Sequence, residues 1–225
     1  MLKLEHTCTY GWEAAIRGMR NPMNSWEKSD SGWNLIGAPG TNQAVANDKY
    51  LREKYCVGNN DLDLMKLLAK GGAAHAKYRR MINVTVDIVG PLYWWKEFDT
   101  YKVGTVANSC STMHKLHACS LTLDDFSHEH LSKDSLKILS ATIKWMNKCR
   151  YQFVTERNKE DWWQLIQLLP SSYNQRRTVQ LNYEVLTKIY TDRRNHKLDE
   201  WHTFCDWVKS LPHSELITME EQNEQ

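Results

Sequence analysis

Residues 99–116, DTYKVGTVANSCSTMHKL, concentrate side chains suited to meeting a ligand. Gly104 would let a bound group approach the backbone. The hydroxyls of Thr100, Thr105, Ser109, Ser111 and Thr112 donate and accept, Asn108 does both through its amide, and Lys102 adds a positive charge. That is the chemistry of a cradle for a polar small molecule. The same residues also suit a plain turn in which Ser109 or Ser111 caps a helix, and the sequence leaves both readings open. Cys110 adds a thiol, but no base stands beside it in the sequence to make it a nucleophile.

Other site chemistry is sparse. The chain has no Walker-type glycine loop, no G-x-G-x-x-G, no H-E-x-x-H and no G-x-S-x-G. Asp124 with Asp125, and Glu156 with Asp161, suit solvated helix caps better than an acid/base dyad. The six cysteines (Cys8, Cys56, Cys110, Cys119, Cys149 and Cys205) include no C-x-x-C pair and read as free thiols of a reducing compartment. Ser127–His130, S-H-E-H, and the group Cys110, His114, His117 and Cys119 lack the second matched pair of a zinc site, so no metal is expected.

The elements that must position the loop follow from pattern. Residues 9–20 place Trp12, Ala15, Ile16 and Met19 at helical spacing; residues 21–47 read as a long loop, and a short helix is predicted over 47–55. Asp61 is the expected N-cap of a helix with Met65, Leu68 and Ala69 on its apolar stripe, closed by Gly71. Ile82, Val84, Val86 and Ile88 alternate with polar residues as in a half-buried strand. The run LYWWKEFDTYKV gives no clean period and is helical or extended. A long amphipathic helix is predicted over 133–157, a second over 161–169, and two more in the last third, the first carrying Leu181, Val185, Leu186 and Ile189. The sum is an α+β chain, mostly helical, with few strands.

Bulk properties set the class. The chain has 225 residues, enough for one substantial core, and its ten tryptophans imply large buried or stacked aromatic surfaces. A single domain over residues 1–215 is expected, followed by an acidic, disordered tail over 216–225. The net charge of +2 argues against a dedicated nucleic-acid binder, although Lys77, Arg79 and Arg80 form a local basic patch. No stretch reaches the roughly eighteen apolar residues of a membrane helix, and the N-terminus lacks a signal-peptide pattern, so the expected location is cytoplasmic without membrane contact.

Three segments taken together carry a resemblance. GGAAHAKYRRMINVTVDIVGP precedes YWWKEFDTYKVGTVANSCSTMHKL, and the last third holds LLP, NYEVLTKIYTDRR and DEW. In order and spacing this resembles the flavin-dependent thymidylate synthases, over most of residues 60–208. Members of that family carry G-H-x-x-x-x-E-H before a strand, then R-H-R-x-x-S-x-N-E-x-S-x-R, then L-P, N-x-R and L-R. His75 falls on the first histidine and Met81 on the second. With one residue inserted, Thr100, Tyr101 and Lys102 fall on R-H-R, Asn108 on the asparagine, Ser109 on the glutamate, Ser111 on the serine and Met113 on the final arginine. Asn182 matches N-x-R, Glu184 replaces its arginine, and Arg193 matches the last arginine.

The resemblance implies a small antiparallel sheet wrapped by helices and a homo-oligomer, a tetramer in the family, with active sites shared between subunits. It implies FAD met by His75, Lys102, Asn108 and Asn182, and a pyrimidine nucleotide met by Ser111 and Arg193. The family reaction is the reductive methylation of dUMP with methylenetetrahydrofolate and NADPH. The alternative is a non-catalytic or repurposed nucleotide-binding oligomer, because the signature arginines that neutralise phosphates are largely substituted. Charge-assisted bonds contribute roughly 1.5 to 3 kcal/mol each, so a site on this loop should take a less anionic ligand or draw charge from Arg79, Arg80, Arg176, Arg177, Arg193 or Arg194.

Overall fold

A computed structural model describes residues 2–36 and 52–219. Along the chain run β1 (Lys3–Tyr10), α1 (Trp12–Arg20), β2 (Gly32–Ile36), β3 (Arg52–Cys56), α2 (Asn59–Lys70), β4 (Asn83–Pro91), α3 (Leu92–Phe98), β5 (Val106–Ser109) and α4 (Thr112–Lys115). These are followed by α5 (Lys133–Glu156), α6 (Lys159–Leu168), β6 (Asn174–Asn182), α7 (Tyr183–Arg193), α8 (Asp199–Lys209) and α9 (Glu215–Thr218). The α+β class with a small antiparallel sheet holds. The chain divides into two compact units: Met1–Cys8, Thr85–Gln180 and Asp192–Trp207 form the first, and Thr9–Val84, Leu181–Thr191 and Val208–Gln225 the second.

The first unit is organised on the sheet, ordered β1-β4-β6-β5. In β4 the expected alternation is present: Val86 and Ile88 are buried while Thr85 and Asp87 are half-buried. Strand β5 runs antiparallel to β6, with Ala107 opposite Val179 and Asn108 opposite Thr178. Pro91 ends β4 in extended backbone, and α3 follows at once, burying Trp94, Trp95 and Phe98. These rings meet Trp201 and Phe204 of α8, with Trp94 lying 5.0 Å from Trp201. Burial of several large rings is a strong apolar driving force. A second cluster holds the α5–α6 hairpin: Leu139, Ile143, Met146, Cys149 and Leu165 pack with Leu116, Leu121 and Phe126. Both helices are capped as the sequence allows, Ser132 accepting from Ser135 N and Asn158 from Glu160 N.

The second unit packs α1, α2, α7 and α9. Trp12, Ala15 and Ile16 of α1, Met65 and Ala69 of α2, Leu186 and Ile189 of α7, and Leu216 and Ile217 of α9 are buried. Gly11, at φ 94°, starts α1 where a Cβ would stand 2.1 Å from the Met81 carbonyl oxygen, so another residue would have to displace backbone. Asp61 is fully buried and gathers four donors: Arg20 Nε at 2.6 Å, the Ser29 and Ser31 hydroxyls at 2.6 Å each, and Ser31 N at 3.2 Å. This polar knot ties residues 29–31 to α1 and α2. Strands β2 and β3 pair antiparallel, with Trp33 opposite Tyr55.

Several expectations are corrected. Thr9 and Tyr10 end a strand, not a helix, and the strand over residues 3–10 was not foreseen. Residues 32–36 and 52–56 are strands because they pair with each other, a contact invisible to local periodicity; the remainder of the helix predicted over 47–55 lies outside the described residues. Helix α2 begins at Asn59, and Asp61 lies inside it as half of a buried ion pair. Leu181 belongs to β6. The tail expected from 216 contains α9, in which Leu216 and Ile217 are buried; residues 220–225 lie outside the described residues.

Asp61 yields a stability prediction. Burial pushes its carboxyl pKa up, but the Ser29 and Ser31 hydroxyls and the Arg20 guanidinium outweigh burial and hold it below the ordinary value. A carboxyl depressed in the folded state contributes stability that is complete above its unfolded pKa and is lost as pH falls through the folded one. Asp61→Ala should cost about 3–5 kcal/mol in urea unfolding, since Arg20 is then left buried without its partner. Between about pH 5 and pH 3, wild type should lose more stability than Asp61→Asn. Equal losses would show that Asp61 is not the titrating knot.

Candidate functional site

Helix α3 turns its aromatic residues inward and so leaves Glu97 half-exposed and Asp99 on the outside. The chain then doubles back. Asp99 N donates to Trp95 O at 2.8 Å, Tyr101 N to Phe98 O at 3.0 Å, and the Thr100 hydroxyl to Glu97 O at 2.7 Å. Gly104 takes φ 77°, a conformation that suits glycine, and lets the loop enter β5. The result is a cleft of about 270 Å³ lined by Phe98, Asp99, Tyr101, Lys102, Thr105 and Ala107.

Charge beside this cleft is mostly consumed internally. Oε2 of Glu97 receives Arg193 Nη1 at 2.8 Å and Trp201 Nε1 at 2.9 Å, with His196 Nε2 at 3.4 Å. Arg193 Nε donates to the Tyr101 hydroxyl at 2.9 Å, which meets Asp192 Oδ2 at 3.2 Å. The guanidinium also lies 4.8 Å from the centre of the Trp201 ring, within cation–π range. Arg177 repeats the pattern: Nη1 pairs with Asp99 at 2.7 Å and the group lies 4.2 Å over Trp95. Burial raises the Tyr101 pKa, partly countered by Arg193, so the phenol stays protonated at neutral pH and acts as a hydrogen-bond donor.

Two groups lining the cleft are not consumed. Lys102 is exposed and has no ion pair among the described residues, and the Thr105 hydroxyl is buried without a hydrogen-bond partner there. An unpaired ammonium and an orphaned hydroxyl are each groups that can meet a phosphate or carbonyl oxygen.

The remaining sequence candidates are dispersed. Arg193 reaches the cleft only through Tyr101. Asn108 alternates with Ala107 along β5 and shares the sheet face of its partner Thr178. Ser111 is the N-cap of α4, accepting from His114 N at 3.1 Å. In the second unit, His75 is exposed ahead of a 3-10 turn over Ala76–Arg80, and Asn182 accepts from Val185 N at 3.0 Å at the start of α7. Glu184, at the position of the N-x-R arginine, lies 3.9 Å from the nearly buried Arg79. Arg176 pairs with Glu5 at 2.9 Å and Asp87 at 3.3 Å. Sequence reading missed Glu97, Asp192, His196 and Trp201. Glu97 had a signal: it is an isolated carboxylate inside the aromatic run YWWKEF, where burial of its neighbours demands a partner. Among the described residues, no group of three or more His, Cys, Asp or Glu could hold a metal ion, and no helix is long and apolar enough to cross a membrane.

The chain shares the fold of the flavin-dependent thymidylate synthases. ThyX from Helicobacter pylori, complexed with FAD and dUMP, aligns with a TM-score of 0.64 at 16% identity over 97% of this chain and 98% of that one. A second structure of that enzyme with FAD and dUMP gives 0.63 at 16% identity, covering 97% of each chain. The UMP/dUMP methylase PolB from Streptomyces cacaoi, bound with 5-Br dUMP, gives 0.60 at 11% identity over 97% and 94%. No protein-family model matches the sequence, and no curated protein matches it significantly.

The Glu97 network should be measurable as stability. Glu97→Ala leaves Arg193 and the Trp201 indole N–H without their acceptor and should cost about 2 kcal/mol, whereas Glu97→Gln, which keeps an acceptor, should cost about half of that. Chemical denaturation of both variants checks the order; equal costs would mean that a neutral acceptor recovers nothing and that the charge carries the whole effect.

Proposed function

We propose that this chain binds a pyrimidine nucleotide on the flavin-dependent thymidylate synthase fold, with Lys102 and the Thr105 hydroxyl meeting the phosphate or a base carbonyl. The observation that supports this most is the shared fold over 97% of the chain with proteins solved in complex with dUMP or 5-Br dUMP. Ser111 and Arg193 are nucleotide-site candidates from the resemblance, and Arg193 would act through the Tyr101 hydroxyl it holds. FAD is proposed as a weaker ligand. Its candidate contacts, as the resemblance implies them, are His75, Lys102, Asn108 and Asn182.

The proposal favours binding over the family's reductive methylation. Thr100, Ser109, Met113 and Glu184 stand where the family signature has charged residues, and Arg79, Arg176, Arg177 and Arg193 each face a carboxylate. An arginine already paired with a carboxylate must give up that partner to serve a phosphate. Methylenetetrahydrofolate and NADPH belong only to an active synthase. A cytoplasmic homo-oligomer, tetrameric as in the family, is part of the same proposal.

Two measurements test it. dUMP at about one hundred times its Kd should stabilise the protein by about 2.7 kcal/mol, raising Tm by several degrees, and Lys102→Ala should remove most of that shift. The gene should fail to rescue a thymidine-requiring strain. No thermal response to any pyrimidine nucleotide would overturn the binding proposal, and rescue would replace it with the synthase reading.

A further inference from the structure

A separate cavity of about 600 Å³ opens within the second unit, a volume in the range of small-molecule sites. Its walls include Tyr10, Trp12, Trp33 and Tyr55, together with Glu13 and His213. Two of the rings present large surfaces to water, Trp33 being 58% exposed and Tyr10 41% exposed. Trp33 is nevertheless held in place: its Nε1 donates to Glu13 Oε2 at 3.3 Å, and its ring stands edge-on to Tyr55 at 5.4 Å. His213, in left-handed backbone at φ 50°, sets its ring edge-on to Trp12 at 5.2 Å. A non-glycine residue in that conformation is uncommon and collects at sites where a side chain must be aimed.

Rigid aromatic faces select a planar ring, because stacking needs no particular substituent and costs little ordering when the walls are already fixed. The charged groups on the same walls then choose the ring edge. Glu13 is acceptor-only, and with Oε2 engaged by Trp33 the carboxylate still offers further lone pairs to N–H donors. Lys54, also on the wall, is donor-only and suits a ring carbonyl. A guanine edge carries two adjacent N–H donors beside a carbonyl. Adenine lacks the carbonyl, and hypoxanthine lacks the second donor.

We propose that this cavity is a second ligand site, for a guanine-type ring stacked on the aromatic walls, with its N–H edge on Glu13 and its carbonyl toward Lys54. It does not rest on the pyrimidine-nucleotide reading. Guanosine, inosine and adenosine serve as probes, since none carries a phosphate that the Lys102 cleft could attract. Titration calorimetry on the full chain should give saturable guanosine binding, at least ten-fold tighter than inosine or adenosine, as expected for a bidentate donor pair. Glu13→Gln should weaken guanosine at least ten-fold and leave inosine within two-fold, while Trp33→Ala should weaken both. Far-ultraviolet circular dichroism and urea midpoints identify any variant that has lost its fold, in which case Glu13→Ala is substituted for Glu13→Gln and Trp33→Phe for Trp33→Ala. Absence of saturable guanosine binding to wild type, or equal affinity for the three nucleosides, overturns the proposal.

Discussion

The carboxylate of Glu97 is the interaction on which the first unit's site depends. It stands at the end of a helix whose other side is driven inward by Trp94, Trp95 and Phe98, and it holds Arg193, Trp201 and His196 through one oxygen. Burial of an indole N–H and a guanidinium is tolerable only if each is paired. Pairing fixes Arg193 against Tyr101 and Trp201, and a fixed Tyr101 forms one wall of the cleft. The same pairing removes Arg193 from the supply of cations that a phosphate could use. Stability and ligand chemistry are therefore set by one carboxylate.

Charge pairing recurs elsewhere with the same effect. Arg177 is bound to Asp99, Arg176 to Glu5 and Asp87, and Arg79 faces Glu184. Asp87 is held below the ordinary carboxylate range, chiefly by the Thr178 hydroxyl, with His6 and Arg176 contributing. What distinguishes Lys102 is the absence of such a partner among the described residues, together with the orphaned Thr105 hydroxyl that lines the same cleft. Among the described residues the cleft therefore presents one unpaired point charge, where the family signature has a set of arginines.

Local pattern made much of this legible. The alternation in β4, the amphipathic helix α5 and the cap at Ser111 all follow from side-chain periodicity and short polar residues, and the structure contains them. What failed depended on distant partners. Asp61 has the look of an N-cap, yet the backbone N–H groups at the start of α2 are met by Asp30, and Asp61 itself turns to Arg20 and two serines. Strands β2 and β3 exist through each other, and Leu181 is in a strand although its spacing to Val185 is helical. Lys102 was legible as the charge preserved at the signature. The consumption of Arg193 was not, because Glu97 lies 96 residues away in sequence.

On the proposed function, pairing and substitution of the signature cations weaken flavin binding and leave Lys102 as the cation for a nucleotide. The most direct measurement is to purify the protein without added ligand, denature it, and quantify released small molecules by mass spectrometry. FAD should be recovered at well below one equivalent per chain. Recovery of stoichiometric FAD would contradict it, showing that the paired arginines do not limit the site.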